Sequence, residues 1–460
     1  MGKQIYKKPE FWISAIGLLC LGTLFGVWYH GKPDTSLPAF LSALTSTVLF
    51  AVVCLRFVPD WMRFWGKDTA PEPLDSAALP GDTPKHIELK IFVSLLAVNA
   101  VVILLVHCLR ILLGHQESFL DGLAFWTCTD SQHYLDIARD WYLSDGDWDR
   151  LVQLVFLPGY PIVVHLLNHL VNNYLYAGLI VSSLSFAGAG CVLYRLLRLD
   201  FPHKDAIRTL KYLCILPGGF FFTAPMSESL FLLLCAACMY FARTGRWVVG
   251  CLFGGLAAFT RSLGLTLFVP LFFELIASMR SSGASAQRDK PAHWWLRFVL
   301  LLLIPAGFAA YCYINYRVSG NPFQFMVYQR KHWGQHTGMF FNTASYQMGM
   351  AISCYGQKNQ ELLGLWLPNL MSCFGSLVIM IFAGRKMRTS YTAWFLAYFA
   401  IAIGATWLLS APRYLIALIP VPLAVSILTK KRALNMLATL VCVLSYACYL
   451  YAFVARWQVW

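Results

Sequence analysis

The residues of this chain that best suit a group-transfer reaction are four charged side chains far apart in the sequence: Asp130, Glu228, Arg261 and Arg413. A carboxylate can remove the proton from an attacking hydroxyl group as a new bond forms. A guanidinium group binds phosphate through two parallel hydrogen bonds and keeps its charge near lipid. Together, these residue types suit the transfer of a group from a phosphate-bearing carrier to an alcohol.

The first of these residues, Asp130, opens a segment with helical spacing that extends over residues 130–142. Tyr134, Ile137 and Trp141 fall on one face, which predicts a helix lying on the membrane surface. An aspartate at the start of such a helix can cap its exposed N–H groups. It can also act as a general base, and the two interpretations are compatible.

The other three charged residues interrupt or begin apolar segments. Glu228 near hydrocarbon is costly without a partner, so it is a candidate functional acid; the alternative is an acid favoured by the dipole at a helix N-terminus. Arg261 and Arg413 both lie at segment ends on the side away from the basic clusters. They are interpreted as phosphate ligands, and the alternative is that they only anchor helices at the interface.

These residues must be positioned by apolar segments of membrane-spanning length. The 460-residue chain is 58% hydrophobic and 13% charged, whereas soluble domains are about 25% charged. A helix needs roughly 20 apolar residues to cross the hydrocarbon core. We therefore predict an all-α polytopic membrane protein with about thirteen transmembrane helices, at 11–29, 38–56, 91–114, 174–194, 207–222, 226–242, 247–262, 263–279, 298–314, 363–383, 391–409, 412–428 and 433–453.

The net charge of +14 does not indicate a nucleic-acid-binding protein, because the basic residues form short clusters between apolar segments. Arg243 with Arg246 and Arg385 with Arg388 are examples. Placing these clusters in the cytoplasm satisfies the positive-inside rule and makes the N-terminus cytoplasmic. Nearly all of the 14 cysteines lie within apolar segments, where they are expected to pack as small residues.

Three regions follow from this pattern: two N-terminal transmembrane helices in 1–56, a proline-bearing cytoplasmic linker in 57–90, and the main transmembrane domain in 91–460. The main domain has two long outer loops, 115–173 and 315–362. The first is acidic and the second basic, which suits binding of a sugar hydroxyl and a phosphate on the outer side. The acids of the first loop are Glu117, Asp121, Asp130, Asp136, Asp140, Asp145, Asp147 and Asp149, and the bases of the second are Arg317, Arg330, Lys331 and Lys358.

This topology requires that the moderately apolar stretch 155–171 does not cross the membrane. It contains Pro158, Gly159 and Pro161 together with His165 and His169. An interfacial or re-entrant helix is the more economical interpretation.

The outer-loop histidines do not have the spacing of a closed metal site. The chain also has no P-loop and no GxGxxG motif between a strand and a helix, which argues against a cytosolic nucleotide as the direct energy source. We expect no required cofactor and no dedicated metal site, and we leave dependence on a divalent cation open.

Six short motifs, in this order, resemble the PIG-V family of GPI mannosyltransferases and its prokaryotic relatives. They are Asp130-x-x-His133-Tyr134-x-x-Ile137-Ala138; Phe156-x-Pro158-x-Tyr160-Pro161; Ser227-Glu228-Ser229-Leu230-Phe231; Arg261-Ser262-x-Gly264; Gly320-Asn321-Pro322-Phe323-x-Phe325 with Trp333; and Arg413-Tyr414-Leu415. The first two helices and the linker lie outside this match. The sequence also departs from the family's usual pattern at Thr129, where an aromatic residue is frequent, and at Leu263, where a polar one is common.

The resemblance implies a GT-C glycosyltransferase fold with interfacial helices at 123–142 and 155–171. It further implies an inverting transfer of a hexose, with mannose expected, from a polyprenyl-phosphate carrier to a lipid, glycan or protein acceptor. By this resemblance Asp130 is the catalytic base. The expected substrate-binding residues are His133, Tyr134, Tyr160, Glu228, Arg261, Asn321, Trp333, Arg413 and Tyr414.

Two other classes of membrane protein compete with the enzyme: a transporter or flippase of a lipid-linked or small polar substrate, and a structural subunit. A transporter needs polar, helix-breaking positions near the bilayer midplane in several spans, whereas the polar residues here gather at one membrane face. The sequence therefore favours a glycosyltransferase in a prokaryotic plasma membrane, with its site on the extracytoplasmic side.

Overall fold

The computed structural model describes residues 9–32, 34–65, 83–143, 152–280, 294–404 and 410–459. Asp145, Asp147 and Asp149 of the predicted acidic loop lie outside the described residues. Within those residues the chain is α-helical, with one isolated β-bridge position at Thr337 and no β-strand. The predicted fold class, an all-α polytopic membrane protein, is confirmed.

The helices follow one another through short turns. The first half of the chain contains α1 (Pro9–His30), α2 (Leu37–Trp65), α3 (Ile87–Leu112), α4 (Phe119–Gly122), α5 (Ser131–Asp140), α6 (Gly159–Val171), α7 (Tyr174–Leu197), α8 (His203–Ile215), α9 (Glu228–Arg243) and α10 (Trp247–Thr260). The second half contains α11 (Phe268–Arg280), α12 (Trp294–Leu301), α13 (Leu303–Ser319), α14 (Gln324–Trp333), α15 (Phe340–Gly356), α16 (Leu367–Ala383), α17 (Thr389–Ala402), α18 (Ala411–Ile416), α19 (Pro420–Leu428) and α20 (Arg432–Val454).

Eight helical segments of the described chain are long and apolar enough to cross a membrane, so the predicted number of thirteen is not confirmed. They are Pro9–His30, Leu37–Phe64, Ile87–Leu112, Tyr174–Leu197, Ser262–Met279, Trp295–Ser319, Leu362–Lys386 and Arg432–Val454. Local breaks shorten several of the others. The predicted span 207–222 ends as a helix at Ile215, because Pro217 follows and Gly218 has a left-handed φ of +87°. The predicted span 412–428 is divided between α18 and α19, where Pro420 begins a new helix.

The predicted linker 57–90 is wrong at both ends, since α2 continues to Trp65 and α3 begins at Ile87. Pro59 lies inside α2; a proline is tolerated in a membrane helix when the surrounding structure supports the freed backbone groups. The extension of α2 is held by Phe64, whose ring centroid lies 4.9 Å from that of Phe273, and by Asp60, which pairs with Arg385 at 3.6 Å.

Small residues let the central helices approach one another closely. A Cβ atom on Gly307 of α13 would lie 1.9 Å from the carbonyl oxygen of Gly255 in α10. Only glycine fits at such a crossing, which is typical of helix packing in membranes. Helices α7, α9 and α10 pack side by side in this way and form the centre of the bundle. The elements that carry the candidate site are attached to this centre.

A buried ion network joins the end of α9 to its neighbours on the side with the basic clusters. Arg243 donates to Asp200 at 2.7 Å, and Arg388 donates to both oxygens of Glu274, at 3.0 and 2.9 Å. The hydroxyl of Ser390 donates to Glu274 at 2.6 Å. Two guanidinium groups therefore balance two carboxylates, which is the condition under which buried charges are tolerated.

Replacement of Glu274 with Ala is expected to lower the unfolding free energy by about 3–5 kcal/mol, because it leaves buried guanidinium charge uncompensated. The matched control is Glu88→Ala, which removes an ion pair with Arg195 whose side chains are 42% and 50% exposed. That change should cost less than about 1 kcal/mol. Thermal unfolding of both variants in the same detergent measures the difference, and equal melting temperatures would contradict a structural role for the network.

Candidate active site

Asp130 stands at the first turn of α5, but its carboxylate does not cap the helix. The preceding residue, Thr129, has a left-handed φ of +55°, which turns the chain from the short 3-10 helix Leu123–Thr127 into α5. The Asp130 side chain makes no capping hydrogen bond. It accepts a hydrogen bond from Nη1 of Arg413 at 2.5 Å instead. Of the two interpretations, the cap is therefore wrong.

Arg413 joins two carboxylates that come from different parts of the chain. Its Nη1 donates to Asp130, and its Nε donates to Oε1 of Glu228 at 2.5 Å. The Arg413 side chain is 6% exposed and Glu228 is fully buried. Helices α5, α9 and α18 are thus connected through one guanidinium group.

Glu228 is shared by a second guanidinium group. Its Oε1 also accepts from Nη1 of Arg261, which lies 3.0 Å from the hydroxyl oxygen of Ser227. That hydroxyl lies 3.0 Å from the hydroxyl of Tyr134, one turn after Asp130 in α5. The α5 backbone closes this row of contacts, since the Tyr134 N–H donates to the Asp130 carbonyl oxygen at 3.2 Å. We call the resulting set the polar ring: Asp130, Arg413, Glu228, Arg261, Ser227 and Tyr134.

The polar ring excludes the simple alternatives for its charged members. Both arginines point into paired contacts within the protein, so they are not side chains that only anchor helices at the interface. Glu228 is not a mere helix-dipole acid, because two guanidinium groups bind it. Burial raises the pKa of Tyr134 to about 12, so its hydroxyl stays protonated at neutral pH and keeps its hydrogen-bonding capacity.

A cavity of about 830 Å³ opens against one side of the polar ring. This volume falls in the range of small-molecule sites, about 300–1,000 Å³. The wall on the ring side contains Asp130, Tyr134, Arg261, Arg413 and Tyr414. The second outer loop supplies another part of the wall, with Asn321, Phe323, Met326, Val327, Gln329, Arg330, Lys331, Gln335, His336 and Thr337.

Six of the predicted site residues meet at this cavity: Asp130, Tyr134, Arg261, Asn321, Arg413 and Tyr414. The Tyr414 ring lies under the Arg261 guanidinium, 5.3 Å from its carbon to the ring centroid. Asn321 shapes its own loop, because its side-chain oxygen accepts from the Phe323 N–H at 3.0 Å. The sequence thus identified residues that the fold brings together across nearly three hundred positions.

Glu228 was expected to bind substrate, and the structure does not place it where it can. Its side chain has no exposed surface and is absent from the cavity wall. The Glu228 carboxylate stays paired with the guanidinium groups of Arg261 and Arg413, because an unpaired buried carboxylate is costly. The two arginines therefore lie between Glu228 and the cavity. Its contribution is to position the two arginines.

Three other predicted substrate ligands lie behind the cavity wall as well. Tyr160 is fully buried and donates to the carbonyl oxygen of Gly178 at 2.8 Å. His133 stacks on Phe156 with centroids 4.7 Å apart, and Trp333 meets Phe156 edge-on at 6.4 Å. Phe156 itself lines the cavity. These aromatic motif residues therefore support the wall instead of forming it.

The sequence analysis did not identify the second-outer-loop residues of the cavity wall as a set of binding residues. Arg330 and Lys331 were noted only as the charge of a loop, and Gln329, Gln335 and His336 were not connected with them. The signal that could have found them is the change from apolar to basic side chains along one face of α14. The described residues contain no group of three or more His, Cys, Asp or Glu side chains arranged to hold a metal ion.

Replacement of Arg413 with Lys is expected to destabilise the protein by about 1–3 kcal/mol, although the charge is kept. A single ammonium group cannot reproduce the two directed hydrogen bonds that Nε and Nη1 make to Glu228 and Asp130. Arg63→Lys is the control, because Arg63 is 58% exposed and its contact with Asp60, at 3.3 Å, lies at the surface of the protein. Thermal unfolding compares them; an Arg413→Lys protein as stable as Arg63→Lys would show that the ring contacts are not needed.

Among known proteins, the chain is similar to a curated protein and to a solved structure. No protein-family model matches the chain. The chain is 28% identical over 222 residues to GPI alpha-1,6-mannosyltransferase 2 of Mus musculus, an alignment that covers 44% of this chain and 41% of that protein. The chain thus spans less than half the length of the curated relative it matches.

The solved structure is the archaeal oligosaccharyltransferase AglB from Archaeoglobus fulgidus, in complex with an inhibitory peptide and a dolichol-phosphate. The superposition has a TM-score of 0.39 and 13% sequence identity and covers 82% of this chain and 56% of that one. A likeness of this degree carries no argument for the chemistry of the site. The curated relative is a GPI mannosyltransferase, and this chain is similar to it over less than half of its length.

Proposed function

We propose that this protein is a membrane glycosyltransferase of the GT-C type that moves a hexose, with mannose expected, from a polyprenyl-phosphate carrier to a hydroxyl group of a lipid, glycan or protein acceptor. The observation that carries the proposal is the position of Asp130, a partly exposed carboxylate on a cavity wall that otherwise bears positive charge. The name of the curated relative supports a mannosyl transfer.

The chemistry needs a base beside the acceptor hydroxyl. Among the described contacts only Oδ2 of Asp130 is engaged, by Arg413, so Oδ1 is left to accept the hydroxyl proton. As the acceptor oxygen attacks the anomeric carbon, the bond from that carbon to the phosphate oxygen breaks and the carrier phosphate leaves with the electron pair. A single displacement of this kind inverts the anomeric configuration.

The charge of the cavity suits the leaving phosphate. Among the described residues, Arg261, Arg330, Lys331 and Arg413 line it, and Asp130 is the one carboxylate on its wall. Glu228, buried behind the wall, offsets one more positive charge. The remaining positive potential stabilises negative charge that develops on the phosphate oxygen in the transition state. An anionic lipid carrier is therefore the donor that the electrostatics favour, and the bilayer is its source.

The orientation of α9 supports an extracytoplasmic site. Its last residue, Arg243, belongs to the basic clusters that the positive-inside rule assigns to the cytoplasm. Its first residue, Glu228, belongs to the polar ring. The helix between them carries no other charged side chain, so the cavity lies at the opposite end from the cytoplasmic clusters. The prokaryotic plasma membrane and the class of acceptor stay predictions.

Replacement of Asp130 with Asn is expected to lower hexose transfer by about 10²–10⁴-fold, because the amide cannot take the hydroxyl proton. The assay uses purified protein in lipid vesicles with a polyprenyl-phosphate mannose donor. The control is Asp136→Asn on the same helix, since Asp136 contacts Gln132 and Arg139 and does not line the cavity. Transfer by Asp130→Asn at the rate of the control would remove Asp130 from the mechanism.

A further inference from the structure

Helix α14 has one face that packs on the protein and another that lines the cavity. On the packed face, the Phe325 ring lies 5.2 Å from Tyr311 and 5.8 Å from Phe308, measured between centroids. Met326 and Arg330 are spaced one helical turn apart on the cavity face. The helix is therefore held from behind and presents a defined row of side chains to the cavity.

The cavity face of α14 changes character along its length. Phe323, Met326 and Val327 come first and are 54%, 47% and 46% exposed. Arg330 follows, about 10 Å along the helix from Phe323. Ile401, which lines the same cavity, is 61% exposed. Exposed apolar side chains that line one cavity together with a cation suit a ligand with an apolar chain and an anionic head.

Arg330 differs from the two arginines of the polar ring in its pairing. Arg261 and Arg413 are bound to Glu228, and Arg413 also to Asp130. In the part of the chain that the structure describes, Arg330 has no ion-pair partner, and its side chain is exposed to the cavity. A ligand can therefore bind the charge of Arg330 without breaking the polar ring.

A phosphate at the polar ring would also lie next to the carboxylate of Asp130. Like charges in contact within a partly desolvated site repel strongly. A phosphate at Arg330 would avoid this repulsion, because Arg330 lines the cavity from the second outer loop and makes no contact with Asp130. The sugar attached to the phosphate would then extend across the cavity toward Asp130.

We propose that α14 is the carrier-binding element: the Arg330 guanidinium binds the phosphate of the lipid carrier, and Phe323, Met326, Val327 and Ile401 cover the lipid chain next to it. This inference rests on the proposed function and reassigns the phosphate from Arg261 and Arg413 to the second outer loop. The ring arginines keep the base in place, while α14 holds the leaving group.

The test measures binding of a short-chain polyprenyl phosphate without sugar to the full-length protein in nanodiscs. Arg330→Gln is expected to weaken binding at least tenfold, as loss of a hydrogen bond to a charged group does. The matched control is Arg317→Gln, because Arg317 is exposed at the end of α13, contacts the Tyr313 hydroxyl at 3.2 Å and is outside the cavity. Binding by Arg330→Gln equal to that of Arg317→Gln would overturn the proposal.

A second arm separates a lipid-linked phosphate from free phosphate. Met326→Gln places a polar side chain in the apolar part of the cavity face. It is expected to weaken binding of the lipid phosphate several-fold and to leave the affinity for inorganic phosphate, measured by competition, unchanged. An equal affinity of Met326→Gln and wild type for the lipid phosphate would mean that the site recognises phosphate alone, which contradicts the lipid-binding part of the inference.

The binding assay also separates this inference from the proposed function. If carrier binding depends on Arg330 but the wild-type protein transfers no hexose, this inference is upheld and the glycosyltransferase is rejected. Hexose transfer by wild-type protein, together with carrier binding that ignores Arg330, would do the reverse.

Discussion

The sharing of one buried carboxylate oxygen by two guanidinium groups is the interaction on which the candidate site depends. Oε1 of Glu228, a side chain with no exposed surface, accepts from Arg261 and from Arg413. Each of these charges would be costly there alone, because the protein interior does not replace the hydration that burial removes. With Asp130 included the four charges balance. The positions of α5, α9 and α18 at the cavity are therefore coupled to one another.

Helix α9 has such a balanced network at each end, about 24 Å apart by the rise of its sixteen residues. The two networks contain the same numbers of arginines and carboxylates, yet only one is suited to chemistry. Glu274 is 7% exposed, whereas Asp130 is 28% exposed and lines a cavity. A buried ion network becomes a candidate active site when one of its carboxylates is left accessible to a substrate hydroxyl.

The sequence predicted the meeting of Asp130, Glu228, Arg261 and Arg413 for a physical reason: charged side chains at the ends of apolar segments require partners. It did not predict which partner faces solvent, because that depends on the path of the cavity between helices. Glu228 and Tyr160, which the family resemblance placed at the substrate, lie behind the cavity wall. The bounds of two predicted spans differ from the helices because Pro217 and Pro420 interrupt helices inside continuous apolar segments. The basic wall of α14 was not recognised, since a ten-residue helix gives too short a pattern to show which face is covered.

Thr129 shows how the polar ring and the backbone depend on each other. A β-branched residue with a φ of +55° is a conformational outlier, and the left-handed conformation costs roughly 1–2 kcal/mol for a residue other than glycine. Such strain persists only where neighbouring contacts hold it. Here the contacts begin immediately afterwards, with Arg413 on Asp130 and Ser227 on Tyr134, which fix both ends of the first turn of α5. The same contacts that balance the buried charge therefore keep the strained turn that aims the Asp130 carboxylate into the cavity.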